Sequence, residues 1–262
     1  MLTRFRGGHP AAFVKREDGW MKNAVQSIED ELRAVGRSDR AAGEAKYLKS
    51  DLRFFGASLA EIRHAAKTVA KRGTLAHDDL VSLVESLWAK PVFELRMAAA
   101  MLLDLHVEQL RPDDLDMLER FIRDSKTWAL VDVLSGDVIA KMNLDQPLRR
   151  QLDRWARDDD FWVRRSSLLA ELRTLKSGAA FEPFGKRADR MLEEKEFFIR
   201  KAIGWVLREM SKTRPDEVYE WVAPRTHRIS GVTVREVVKY LTPDRRDRLM
   251  EAYKQRIPAH PG

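Results

Sequence analysis

The chain has 262 residues, of which 44% are hydrophobic and 34% are charged. This composition is enough for a buried core and too charged for a membrane protein, and no apolar run approaches the ~20 residues that span a bilayer. The lack of cysteine excludes disulfides, thiolate catalysis and Cys-ligated metal sites. Because the first residues also lack the apolar stretch of a secretory signal, we expect a cytoplasmic protein.

The charge balance is basic, with a net charge of +7 and a pI of about 9.6. This favours a polyanionic partner, because Lys and Arg displace the counterions condensed on phosphates. A generic basic surface explains the charge equally well. The six histidines are scattered and lack the His-Glu-x-x-His spacing, so a metal enzyme is not expected.

From the N-terminus onward, nearly every segment has the 3.6-residue apolar period of a helix, and no useful strand alternation occurs. Residues 1–38 are predicted to form a leader and a first helix, and residues 39–262 a single repeat domain. The capping box Ser58-Leu-Ala-Glu61 predicts a helix start, and Gly73 predicts the end of that helix. Further helix starts are predicted at four prolines, namely Pro91, Pro112, Pro147 and Pro215.

A four-residue pattern, with an apolar third position followed by arginine, recurs along the chain. Its first residues are 33 to 36 residues apart, which is the length of one helical pair. The sequence therefore predicts an all-α, HEAT-like helical-repeat solenoid of about six helical pairs with a concave basic groove. The copies are Ala60-Glu-Ile-Arg63, Phe93-Glu-Leu-Arg96, Phe161-Trp-Val-Arg164, Phe197-Phe-Ile-Arg200 and Val232-Thr-Val-Arg235, with a weaker one at Trp128-Ala-Leu-Val131.

The residue after each copy is expected to project in one direction, because equivalent positions of stacked repeats are parallel. Asp132, Arg165 and Lys201 should therefore share one face, and helical spacing adds further residues to it. Each residue of this face, taken alone, has a plainer explanation. A tryptophan on a helix is more often part of the core, a cation more often lies on a solvated face, and Asp132 can form an ion pair with a neighbouring arginine. The six fifth positions are His64, Met97, Asp132, Arg165, Lys201 and Glu236, and the added neighbours are Trp128, Trp205 and Arg208.

Such a face suits the release of a cationic purine from DNA. An N3- or N7-alkylated purine is already a good leaving group, and its C1′–N bond breaks with oxocarbenium character. A carboxylate at Asp132 can stabilise the developing cation and orient a water. Trp128 and Trp205 can pack on the deoxyribose. The flanking phosphates can be held by cations, for which the candidates are Arg165, Lys201 and Arg208.

Over roughly residues 40–255, the sequence resembles the bacterial DNA alkylation-repair glycosylases of the AlkD type. The longest matching stretch is Lys195-Glu-Phe-Phe-Ile-Arg-Lys-Ala-Ile-Gly-Trp-Val-Leu-Arg-Glu209. Shorter stretches occur in the order the family has them. They are Ala45-Lys-Tyr-Leu-Lys49, Phe54-Phe-Gly56, Ser125-Lys-Thr-Trp128 with Val131-Asp132, and Phe161-Trp-Val-Arg-Arg165.

The resemblance implies a solenoid that clamps double-stranded DNA and excises alkylated purines in base excision repair. The lesions it implies are 3-methyladenine, 7-methylguanine and bulky N3-alkyladenine adducts. It also implies catalysis without a metal or another cofactor and without drawing the lesion into a pocket. A clamp of this kind can act as a monomer, and no membrane partner is expected.

The family's site residues carry over onto matching positions of this chain. Asp132 stands at the catalytic aspartate, and Trp128 and Trp205 stand at the two groove tryptophans. These three residues and Arg165 are the predicted catalytic residues. The role of Phe197 and Phe198 is left open between packing and DNA contact. The matched DNA-binding positions are Tyr47, Arg165, Arg173, Phe197, Phe198 and Arg208.

The chain departs from the family pattern at three positions. Residue 129 is Ala where the family often has Asp, so a second acid beside Asp132 is missing. Ser58 and Ala60 occupy places after Gly56 where the family commonly has a polar residue and a proline. These differences affect fine positioning at Asp132 and the DNA contacts of the first repeats.

Three alternatives remain open from the sequence. The chain is a catalytically silent DNA-binding paralogue, a protein-binding HEAT scaffold, or, least favoured, a metal-dependent nuclease that needs clustered carboxylates. The acidic runs Asp113-Asp114 and Asp158-Asp-Asp160 stand where helices begin, so they are interpreted as helix caps.

Overall fold

The computed structural model describes residues 10–71, 75–142 and 145–255 of the chain. These residues are helical and contain no strand, only an isolated bridge between Arg53 and Val92. The all-α prediction is therefore confirmed. The helices are α1 Pro10–Val35, α2 Ser38–Leu48, α3 Leu59–Ala70, α4 His77–Trp88, α5 Phe93–Leu105, α6 Asp114–Asp124, α7 Trp128–Val133, α8 Asp145–Trp155, α9 Phe161–Leu169, α10 Leu172–Lys176, α11 Glu182–Met191, α12 Phe197–Ser211, α13 Pro215–Val222, α14 Gly231–Val237 and α15 Pro243–Gln255.

The chain forms two compact units, one ending at Leu110 and the other beginning at Arg111. In the first unit, α5 packs against α3 and α4, and α1 covers them. In the second unit, α12 packs between α9 and α14 over a continuous apolar core that includes Phe184, Ile203 and Val206. The predicted first helix corresponds to α1, and the assignment of residues 39–262 to one domain stays a prediction.

The repeat pattern coincides with the helix starts. Each of the six copies begins at the first or second residue of a helix, in the order α3, α5, α7, α9, α12 and α14. The apolar third position is fully buried in every copy, because it lies on the inner face of the first helical turn. These third positions are Ile62, Leu95, Leu130, Val163, Ile199 and Val234.

Local capping chemistry fixes several of these starts as expected. Ser58 and Glu61 form the predicted capping box, since Glu61 N donates to Ser58 Oγ at 3.3 Å and Ser58 N donates to Glu61 Oε2 at 2.5 Å. Asp160 caps α9 by accepting from Trp162 N at 2.7 Å. Pro215 is the first residue of α13. The predicted helix end at Gly73 lies outside the described residues.

Within the described part of the chain, no helix combines the length and the apolar character needed to cross a membrane. The same residues contain no cluster of three or more His, Cys, Asp or Glu side chains that could hold a metal ion.

Candidate nucleic-acid interface

Asp132 lies near the end of α7, a short helix with a well-defined start. Thr127 caps α7 through its side chain, which accepts from Ala129 N at 3.4 Å. Directly after α7 the backbone continues as a π-helical segment, Leu134–Val138. Such segments are rare and frequently occur at functional sites, because the wider turn redirects the side chains beside it. Asp132 is thus displayed next to a local distortion of the repeat.

The Asp132 carboxylate forms a bidentate ion pair with Arg165 of α9. Arg165 Nε donates to Oδ1 at 2.8 Å, and Arg165 Nη2 donates to Oδ2 at 3.0 Å. The two residues occupy the fifth positions of consecutive repeats and contact each other, while the expectation that Lys201 shares their face stays a prediction. The ion pair considered as the plainer explanation for Asp132 is also present. Bidentate geometry fixes the carboxylate plane as well as its position.

Arg165 is held from within the protein. Only 3% of its side chain is exposed, against 15% for Asp132. Its third nitrogen, Nη1, donates to the carbonyl oxygen of Phe198 at 2.6 Å. Next to the pair, the hydroxyls of Ser135 and Ser166 lie 2.8 Å apart and join the helix containing Arg165 to the π-helical segment. The guanidinium is therefore engaged on three sides, and the carboxylate is the more accessible partner.

The protonation of Asp132 reflects two opposing influences. Burial raises the pKa of Asp132 above its ordinary value, because a desolvated carboxylate is costly to ionise. The Arg165 guanidinium opposes this rise by hydrogen bonding and by its charge. Arg165 thus favours the ionised form, which is the form able to stabilise a neighbouring cation.

A group of aromatic rings lies beside this pair, at the starts of α9 and α12. Phe198 is 4.8 Å from Trp162 and 6.3 Å from Phe161 between ring centroids. Phe197 meets Phe198 edge to face at 5.5 Å and is exposed. Arg165 Cζ lies 5.9 Å from the Phe198 ring, so the aromatic group and the ion pair are continuous. Phe198 thus packs within the group while Phe197 faces solvent.

A second charged group gathers around Glu236 of α14. Lys201 Nζ donates to Glu236 Oε1 at 2.5 Å, and Arg208 Nη1 donates to Oε2 at 2.6 Å. Lys239, in the 3₁₀ turn after α14, donates to the same Oε2 at 2.9 Å. Lys201 and Glu236 are again fifth positions of consecutive repeats. The sequence assigned Lys201 and Arg208 to DNA binding, and the structure brings them together at one carboxylate.

The remaining predicted residues occupy separate places. Trp128 is the first residue of α7, one turn before Asp132, and is half-buried. Trp205 is half-buried against the core of the second unit, one turn after Lys201. Arg173 is an exposed residue of α10, and Tyr47 is an exposed residue of α2 in the first unit. The joint action of the two tryptophans with Asp132 stays a prediction.

Three residues of this region were not among the predicted site residues. Trp162 is the second position of the fourth repeat copy, and the repeat pattern specifies only the apolar third position and the arginine after it. Glu236 is a fifth position, and its acidic character opposite Lys201 is the signal that identifies the pair. Lys239 follows α14 in a 3₁₀ turn, where the helical period no longer applies.

The described residues form an all-α helical-repeat protein. At two places, Asp132–Arg165 and Lys201–Glu236, a charged side chain of one repeat forms an ion pair with the next repeat. A sequence model of the DNA alkylation repair enzyme family matches residues 28–241. The chain therefore belongs to the DNA alkylation repair enzyme family.

Solved structures agree with this assignment at the level of the fold. One, from Enterococcus faecalis and described as a predicted DNA alkylation repair enzyme, is 25% identical with a TM-score of 0.70, covering 79% of this chain and 97% of its own. Another, AlkD2 from Streptococcus mutans, is 17% identical with a TM-score of 0.56, covering 91% of this chain and 100% of its own. A comparison with curated proteins gives no match.

Proposed function

We propose that the protein is a DNA N-glycosylase that excises cationic N3- and N7-alkylated purines from duplex DNA. The observation that carries this proposal is the bidentate pair between Asp132 and Arg165, bordered by aromatic rings. Membership of the DNA alkylation repair enzyme family supports alkylated DNA as the substrate. The substrates are 3-methyladenine, 7-methylguanine and, because no enclosing pocket is required by this chemistry, bulky N3-alkyladenine adducts.

The reaction needs little from the protein beyond charge stabilisation. The C1′–N bond breaks, its electron pair leaves with the cationic purine, and the sugar becomes an oxocarbenium ion. The Asp132 carboxylate stabilises that cation and orients a water whose oxygen bonds to C1′, while the proton of that water passes to the carboxylate or to solvent. Because the leaving purine already carries positive charge, no acid is needed to protonate it, and no metal or cofactor takes part in these steps.

Arg165 acts in this mechanism through Asp132. Its nitrogens are directed at the carboxylate and at the Phe198 carbonyl, so its first role is to keep Asp132 ionised and oriented. This geometry favours a positioning role over the direct phosphate contact expected from the sequence. Trp128 and Trp205 pack on the deoxyribose, and Lys201 and Arg208 hold backbone phosphates.

The remaining proposed contacts are those that the family resemblance implies. Exposed Tyr47 and Arg173 contact the DNA backbone, and exposed Phe197 contacts DNA at the edge of the aromatic group. The reaction proceeds without extruding the base, on a monomer, in the cytoplasm.

Release of free base decides the proposal. Purified wild-type protein and Asp132→Asn are compared on a duplex that contains one 7-methylguanine, with 3-methyladenine and a bulky N3-alkyladenine as further substrates. Asp189→Asn is the matched control, since Asp189 also pairs with arginines, at 2.8 Å from Arg225 and 3.0 Å from Arg228. Release by wild type and the control, and not by Asp132→Asn, supports the enzyme. Equal release by all three contradicts it and leaves a DNA-binding protein.

A further inference from the structure

Three cations converge on the two carboxylate oxygens of Glu236, although one cation would be enough to form an ion pair. Arg208 Nη1 and Lys239 Nζ contact the same oxygen, Oε2, at 2.6 and 2.9 Å, and Lys201 Nζ contacts the other oxygen at 2.5 Å. Three positive groups are thus held within the reach of a single carboxylate. We call these four side chains, Lys201, Arg208, Glu236 and Lys239, the Glu236 cluster.

Burial within the Glu236 cluster is strongly asymmetric. The side chain of Glu236 is 7% exposed, whereas those of Lys201 and Lys239 are 40% and 49% exposed. Arg208 is intermediate at 24%. The negative charge is therefore underneath and the positive charges face outward. Arg208 Nε also lies 3.4 Å from Glu209, which itself pairs with Lys212 and Lys176. Cations therefore outnumber carboxylates here even with Glu209 included, and the outer surface keeps a positive surplus.

The backbone around Glu236 keeps the carboxylate in place. α12 and α14 approach each other at Gly204, where an added Cβ would lie 2.9 Å from Glu236 Cβ. A larger residue at position 204 would push Glu236 away from the cations of α12. The Lys201–Glu236 pair also repeats the relation between Asp132 and Arg165, with the signs exchanged along the chain. The repeat therefore accounts for the Lys201–Glu236 pair, and Arg208 and Lys239 join it from the end of α12 and the turn after α14.

We propose that Lys201, Arg208 and Lys239 form one subsite for a phosphodiester of the DNA backbone, and that Glu236 is the positioning residue that aligns their donors. A tetrahedral phosphate group presents several acceptor oxygens, which suits donors converging from three directions. This inference deepens the proposed function, since it assumes that the partner is DNA, and it adds Glu236 and Lys239 to the interface. Glu236 acts on DNA through the cations and has no contact of its own with phosphate.

The direction in which Glu236→Gln changes duplex affinity distinguishes alignment of the cations by Glu236 from a simple effect of its charge. Glu236→Gln removes a negative charge next to DNA, so charge alone predicts tighter duplex binding. If Glu236 aligns the cations, Glu236→Gln weakens binding, by roughly fivefold at moderate salt. Glu220→Gln, an exposed position on α13, makes the same change of charge outside the cluster and should leave binding equal or tighter. The probe is an undamaged duplex, titrated by fluorescence anisotropy, with circular dichroism to verify folding.

A second variant keeps the test valid if Glu236→Gln folds poorly. Lys239→Ala changes an exposed side chain and should remove one phosphate contact, which makes the slope of log affinity against log salt shallower by about 0.9. The matched control Lys254→Ala, an exposed lysine of α15, should leave that slope unchanged. A slope unaltered by Lys239→Ala, or tighter binding by Glu236→Gln, overturns the inference.

These outcomes are independent of the glycosylase proposal. If base release depends on Asp132 while the Lys239 slope is unaltered, only the phosphate subsite is refuted. If release does not depend on Asp132 while Lys239→Ala and Glu236→Gln behave as stated, the subsite stands on a protein that binds DNA without excising bases.

Discussion

The two units of the chain each bury a carboxylate on a repeat helix, and they satisfy it with different donors. In the first unit, Glu94 of α5 accepts from the backbone N–H groups of Phe55 at 3.0 Å, Gly56 at 2.7 Å and Ala57 at 3.3 Å. In the second unit, Asp132 accepts from the Arg165 guanidinium. Burial raises the pKa of both carboxyls.

The two carboxylates also differ in exposure. Glu94 is fully buried and fixes a loop in which Gly56 has a φ of +83°, a backbone conformation that glycine favours. The side chain of Asp132 is 15% exposed, and both of its carboxylate oxygens accept from a single side chain, that of Arg165. Glu94 therefore ties a loop to α5, whereas Asp132, under the proposed function, both pairs with Arg165 and faces the substrate.

The largest expected difference between the two carboxylates is in the rate of base release by their variants. Asp132→Asn is expected to lower the single-turnover rate of 7-methylguanine release by at least about 100-fold, because it removes a charge that stabilises the transition state. Glu94→Ala is expected to keep the rate per folded molecule within about twofold. A large loss of base release in folded Glu94→Ala would show that Glu94 also contributes to catalysis. The proposed difference between the two carboxylates would then be wrong.

The repeat made the second unit largely predictable from the sequence. The spacing of the copies places four helix starts of this unit, those of α7, α9, α12 and α14, and the fifth positions of two of these copies, Asp132 and Arg165, contact each other. The sequence could not decide whether Arg165 would reach toward DNA or toward the acid, since register fixes the direction of Cβ and not the rotamer of a long side chain.

In the first unit, the fifth positions of the repeat copies predicted no side-chain contact. The fifth positions there are His64, which is exposed, and Met97, which is buried, so no charged pair forms between them. Glu94 is the second position of its copy, and it finds its donors in a loop far from it in sequence. A backbone loop of this kind leaves little trace in a periodic pattern, because its hydrogen bonds depend on main-chain atoms that every residue has.

Stability should respond strongly to Glu94 as well. Glu94→Ala removes the acceptor of three buried N–H groups and leaves a cavity, so the free energy of unfolding should fall by about 3 kcal/mol. Glu85→Ala, an exposed position on α4, should cost less than about 0.5 kcal/mol. The measurement is urea unfolding followed by circular dichroism. An equal decrease in the free energy of unfolding in the two variants would mean that the hydrogen bonds from Phe55, Gly56 and Ala57 to Glu94 contribute little to stability.

The pH dependence of stability extends the comparison to a third carboxylate. The cations around it lower the pKa of Glu236 from 4.5 to about 2. An acid whose pKa is lower in the folded state stabilises the fold above its unfolded pKa, and this contribution is lost as pH falls from 4.5 toward 2. Glu94, whose folded pKa is raised, contributes with the opposite sign: its share of stability falls as pH rises above 4.5.

Unfolding of wild type and Glu236→Gln at several pH values tests this directly. The difference in unfolding free energy should be about 3 kcal/mol at most near pH 6 and should shrink toward pH 3, because the unfolded wild-type chain takes up a proton at Glu236 below pH 4.5 while the folded chain still holds the carboxylate. A difference that stays constant over this range would mean that Glu236 is not stabilised as a carboxylate.

The smallest expected effect concerns how Asp132 is held. Arg165→Lys keeps a positive charge but loses the bidentate fork, so release should fall by about tenfold, equivalent to about 1.4 kcal/mol, while duplex affinity changes little. The control is the neighbouring residue: Arg164→Lys disrupts a similar pair, in which Arg164 Nη2 donates to Glu194 Oε2 at 2.9 Å, and should not slow release. If Arg165→Lys instead lowers affinity as much as release, Arg165 contacts a phosphate directly.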